Sequence, residues 1–262
     1  MQGALLMNDQ KSYENGCQNN NNSNDLNKSL IYLIVYFFIG LLFYPLINSF
    51  FITKYICTMI AVTIHELGHT VVGLLYGNLS FPFVDFFLGR GGITVSIEGS
   101  PSGVIFGVMA LVVLIYIFRE RYYFIGMFVF FIIILLCTAF TPQKYILISM
   151  AGHLFEAIFV GVALYMSIVA EFTNIYDRPF YSMLAWWTAL NRIDLFNGLQ
   201  SSELARSQYI ENSIVSPDLL NITNSLGLPG IESIAGYFML IYVIPIIIIV
   251  IMAVYKIFKQ AS

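Results

Sequence analysis

The stretch Ile60-Ala61-Val62-Thr63-Ile64-His65-Glu66-Leu67-Gly68-His69-Thr70-Val71-Val72-Gly73-Leu74-Leu75 decides how the chain is read. Its centre is the pattern H-E-x-x-H, and both flanks are apolar. On a helix, residues i and i+4 share one face, separated by roughly 6 Å of rise. His65 and His69 can therefore grip one zinc ion, with Glu66 beside them as general base. The chain has three histidines, and this motif uses two of them. Ionisable groups at membrane depth are costly, so a cluster of them points to a functional site.

Composition sets the solvent. Of 262 residues, 58% are hydrophobic and 10% are charged. Mean hydropathy is +0.79. A soluble domain carries roughly 25% charged residues. The expectation is an all-α, multi-pass membrane protein with the lipid bilayer as its first partner. The net charge of −3 provides no basic stripe for phosphates, which argues against nucleic acid. Cys17, Cys57 and Cys137 make an odd count with no CxxC, so neither a disulfide framework nor a zinc ribbon is expected.

Working outward, residues 1–28 are polar and Asn-rich, and are read as a disordered tail. Residues 29–258 are read as one transmembrane domain. Apolar segments run at about 29–53, 55–77, 101–118, 122–140, 145–170, 179–198 and 231–257, about six of them fit to span. Gly77-Asn78 reads as the stop of the second segment. A β-hairpin is expected at 81–98. Ile93 to Glu98 alternates apolar and polar, Gly89 to Gly92 forms a turn, and Phe83 to Leu88 supplies the partner strand. Residues 199–230 read as a polar loop with a short amphipathic helix. Lys and Arg counts on alternate sides, six against five, do not settle orientation.

Two histidines leave a catalytic zinc site one protein ligand short. The candidates are ionisable groups in the later apolar segments. Asp194 is the leading one, with Glu156, Asn197 and His153 behind it. His153 and Glu156 lie three apart and so share a helix face. They are expected to point into the bundle, as substrate or oxyanion contacts or as a pair joining two helices, and Asn197 is a further candidate contact.

The order of these features resembles the site-2 protease family of intramembrane zinc metalloproteases. The resemblance runs from about Thr53 to Gly198. His65 and His69 match the family's zinc histidines, Glu66 its catalytic base, and Ala151-Gly152 a helix that lines its active site. Two positions depart from it. His153 and Glu156 stand where that helix has a Pro and an Asn, and Phe196-Asn197-Gly198 stands where the family has Leu-Asp-Gly. The nearest Asp is Asp194, one helical turn earlier. The resemblance implies Zn2+ as cofactor and zinc-dependent endoproteolysis of a transmembrane protein substrate. An inactive relative acting as a membrane-protein scaffold, or a metal-ion transporter, are the alternatives.

Overall fold

The computed structural model describes residues 31–84, 92–170, 172–211 and 217–261. The polar tail at 1–28, Cys17, and the turn at Gly89, Arg90 and Gly91 fall outside them. The described chain is helical apart from one hairpin. A π-helical turn, Tyr32–Tyr36, leads into α1, Phe37–Ser49. α2 is Phe51–Leu75 and carries the motif. The strands are β1, Leu79–Val84, and β2, Gly92–Ile97. α3, Pro101–Ile117, and α4, Tyr122–Thr138, follow. α5 is Gln143–Ile168 and α6 is Arg178–Ser201. Two short helices, α7, Glu203–Glu211, and α8, Asp218–Leu226, precede α9, Glu232–Ala261.

Among the described residues, three helices are long and apolar enough to cross a membrane: α2, α5 and α9. The helices around α1, α3 and α4 are apolar but shorter. α6 is long, yet Arg178, Arg192, Asp194 and its amides keep it from being apolar enough. Its central residues Ala185, Trp187, Thr188 and Ala189 are buried by protein. Large apolar side chains face outward elsewhere, among them Leu42, Phe51, Phe106 and Phe130. Such a surface suits lipid and not water.

Local chemistry explains the breaks. Phe50 is extended between α1 and α2, and Thr53 Oγ1 donates to both Ile47 O and Phe50 O at 3.0 Å. The chain turns there, a few residues earlier than the sequence pattern suggests. α2 stops at Gly77, as expected. Gly77 takes a φ of +79°, and Asn78 N–H donates to Gly73 O at 2.9 Å. α8 stops in the same way at Gly227, with φ +65°.

The hairpin is antiparallel, with Leu79 paired to Ile97, Phe81 to Val95 and Val84 to Gly92. Its first strand starts earlier than the expected Phe83. Pro82 hides that start in the sequence, because proline donates no ladder hydrogen bond. In a two-stranded sheet every strand is an edge, so Pro82 is tolerated opposite Thr94.

The main core lies among α5, α6, α8 and α9, around Leu164, Phe196, Leu199, Leu219, Phe238 and Tyr242. Alanines 157, 163, 185, 189 and 235 line it and let the helices approach closely. Arg178 donates to Ser167 O at 2.7 Å and also to Ala170 O, and Lys256 donates to Val169 O at 3.0 Å. These cations satisfy the last carbonyls of α5, a placement worth roughly 0.3–1 kcal/mol each.

Candidate metal centre

The helix phase of α2 sets the starting geometry. His65 and His69 project from one face, and their Nε2 atoms lie 3.0 Å apart. α5 crosses directly over them. A Cβ at Gly68 would lie 2.5 Å from Ala151 O, so only glycine permits this approach. A Cβ at Gly152 would lie 2.6 Å from Nε2 of both histidines. The Ala151-Gly152 pair therefore leaves open the space beside the two nitrogens.

The third group is Asp218, the first residue of α8. Its Oδ2 lies 2.9 Å from His65 Nε2 and 3.0 Å from His69 Nε2. The expectation of Asp194 is corrected by this placement. Asp194 is exposed, and its Oδ2 accepts from Tyr44 Oη at 2.5 Å, away from the imidazoles. Helix phase gives the reason. α6 turns Arg192, Phe196 and Leu199 inward, so Asp194 and Asn197 turn outward. Asn197 is likewise exposed and contributes nothing to the cluster. Its backbone carbonyl accepts from Ser201 Oγ at 2.7 Å.

The donor set fits a zinc ion. On a tetrahedral zinc with bonds of roughly 2.0–2.1 Å, ligand atoms sit roughly 3.3 Å apart. The three separations here, 2.9, 3.0 and 3.0 Å, are a few tenths shorter. His69 Nδ1 lies 2.7 Å from Ile148 O. A carbonyl can only accept, so Nδ1 carries the proton, and Nε2 of the neutral ring presents a lone pair to the cluster. Two ring nitrogens and a carboxylate converging on one point make a group that can hold a cation between them. The Asp218 side chain is 23% exposed and that of His65 13%, so water can reach this point.

Glu66 is one residue on from His65, about 100° around the helix, and faces the hairpin. Thr94 Oγ1 of β2 lies 2.7 Å from its Oε2, as a donor, and 3.1 Å from its backbone carbonyl. Gly92 packs against the Glu66 side chain so tightly that a Cβ there would overlap Cγ. The hairpin thus fixes the rotamer of the expected base.

His153 and Glu156 point inward, as expected, and neither shares the triangle with His69 and Asp218. Glu156 Oε1 lies 3.5 Å from His65 Nδ1, on the far side of that ring. The ring of His153 lies 4.7 Å from that of His65, edge to face. His65, His153 and Glu156 form a second group of potential ligands. Arg192, however, forks onto Glu156 with Nε 2.8 Å from Oε2 and a second contact to Oε1. A guanidinium already neutralises that carboxylate, so the triangle on Asp218 is the better cation site.

Asp218 lies outside the apolar segments, in the polar stretch 199–230, where no membrane-embedded ligand is expected. Its signal was Pro217-Asp218-Leu219-Leu220, a helix start with an acidic first residue. Compared with models of protein families, with curated proteins and with solved structures, the chain matches none.

Proposed function

We propose that this chain is a multi-pass membrane protein acting as a zinc-dependent endopeptidase on membrane-anchored protein substrates. The observation that carries the reading is the convergence of His65, His69 and Asp218, with Glu66 beside them on the same helix. In this reading α1, α3 and α4 complete the set of spans begun by α2, α5 and α9. The polar segment with α7 and α8 folds back to deliver Asp218.

His65, His69 and Asp218 would hold the zinc ion. When bound, zinc polarises a carbonyl and lowers the pKa of water towards neutrality. Glu66 accepts a proton from the attacking water and returns it to the departing amine. Thr94 keeps the Glu66 carboxylate aimed, which removes the cost of orienting it in each turnover. Strand β2 lies beside that carboxylate, and an extended substrate segment can add to a hairpin edge. Peptide bonds in an intact helix are shielded, so the substrate must unwind before it is cut.

A full set of potential ligands argues against an inactive scaffold. A transporter needs ionisable groups spread across membrane depth, whereas here they gather around His65 and His69. The test is Glu66→Gln in the purified protein. It should retain zinc and lose cleavage of a membrane-spanning reporter, because an amide cannot accept the proton. Cleavage at the unaltered rate would remove Glu66 from the mechanism.

A further inference from the structure

Glu156 is the most deeply buried carboxylate among the described residues, with no exposed surface. A bare carboxylate there would be very costly, and it is elaborately held. Arg192 of α6 grips both oxygens, and Tyr242 Oη of α9 donates to Oε2. Tyr242 Oη is in turn 3.2 Å from His153 Nδ1. Four polar side chains from three helices therefore meet in the apolar core behind His65. Nothing in the proposed reaction has yet used them.

The two candidate zinc histidines differ in what stands behind them. His69 Nδ1 is held by a backbone carbonyl, Ile148 O, at 2.7 Å. His65 Nδ1 is buried, and what it faces is Glu156 Oε1, across a long 3.5 Å. Its Nε2 is turned to His69 and Asp218, so the proton of a neutral ligand ring belongs on Nδ1, facing Glu156.

We propose that Glu156 is a positioning residue that fixes the His65 ring through Nδ1–H, itself kept in place by Arg192 and Tyr242. The inference rests on the zinc reading above and deepens it. A carboxylate behind a ligand imidazole fixes the tautomer and makes the opposite nitrogen a stronger donor. Arg192 has a second effect. By holding both oxygens it stops Glu156 from swinging round to become a ligand, and it keeps the net charge of the pair at zero. The alternative role, a structural tie between α5, α6 and α9, requires only the Arg192 and Tyr242 contacts and is indifferent to His65.

The experiment uses the full chain in detergent, with zinc affinity measured by competition against a chelator and cobalt(II) as a spectroscopic probe. Outer-shell partners of ligand histidines typically contribute roughly 10–100-fold in metal affinity. Glu156→Gln should weaken zinc binding by about that factor and alter the visible cobalt bands. Because Glu156→Gln leaves Arg192 buried without its anion, the double variant Glu156→Gln/Arg192→Gln is measured alongside. Tyr242→Phe keeps the charge pair and removes one hydroxyl. It should shift both readouts in the same direction by less, and it decides the matter if neither carboxylate variant is recovered folded. Wild-type affinity and unchanged cobalt bands in a folded Glu156 variant would reduce the network to a structural tie and overturn the proposal. His65→Ala separates the two levels. If it too binds zinc like wild type, the metal centre itself is wrong. If it loses zinc while Glu156→Gln does not, only the role of Glu156 is wrong.

Discussion

Replacing Gly152 by alanine tests the metal centre with a single added methyl group. That methyl would lie 2.6 Å from His65 Cε1, His65 Nε2 and His69 Nε2. Ordinary van der Waals contact begins near 3.4 Å, so about 0.8 Å of movement is needed against three atoms at once. The helices cannot part cheaply, because α2 already touches α5 where Gly68 meets Ala151, the residue next to Gly152. The imidazoles must move instead. In the metal-free protein they can rotate, and folding should survive. In the zinc-bound protein their direction is fixed, so the overpacking cost of roughly 1–3 kcal/mol falls on binding. At 1.4 kcal/mol per tenfold, that weakens zinc affinity by about 5- to 140-fold. Chelator competition on the purified protein reads the affinity, and cleavage of a membrane-spanning reporter reads the consequence. The control is Gly126→Ala on α4, where a Cβ meets nothing within 4 Å. Alanine there should leave zinc binding unchanged and gain helix propensity. Wild-type zinc affinity in Gly152→Ala would refute the reasoning, since it would put the ion away from the two Nε2 atoms.

Two further outcomes follow from the same geometry. Asp218→Ala removes a proposed direct ligand and should weaken zinc by more than the roughly 100-fold that outer-shell partners cost. Asp194→Ala, which loses only the contact to Tyr44, should bind zinc normally, and the reverse ranking in a metal assay would restore Asp194. Thr94→Val removes the hydrogen bond to the Glu66 carboxylate, a loss of about 1.5 kcal/mol or more for a charged acceptor. It should lower kcat roughly tenfold at unchanged zinc content, and an unchanged kcat would mean that the hairpin does not hold the base.

Composition and local spacing settled a good deal in advance. The low charge content alone points to membrane association, and the helical repeat alone puts His65 and His69 on one face. Gly77 needs only its own backbone to end α2, and the 93–98 alternation already reads as a strand. These features depend on neighbours a few residues away, so the sequence displays them directly. What lay beyond its reach depends on packing between distant segments. Asp218 stands 149 residues from His69, in a stretch whose polarity reads as a loop. Only the fold-back of α8 against α5 turns it into a partner of the imidazoles. Asp194 looked better by position, but the rotation of α6 about its own axis turned that residue outward and sent Arg192 inward to Glu156. A helix's phase against its neighbours is decided by the packing of Phe196, Leu199 and the alanines of the core. No local pattern carries that information, so the tertiary structure alone decides which carboxylate faces the histidines.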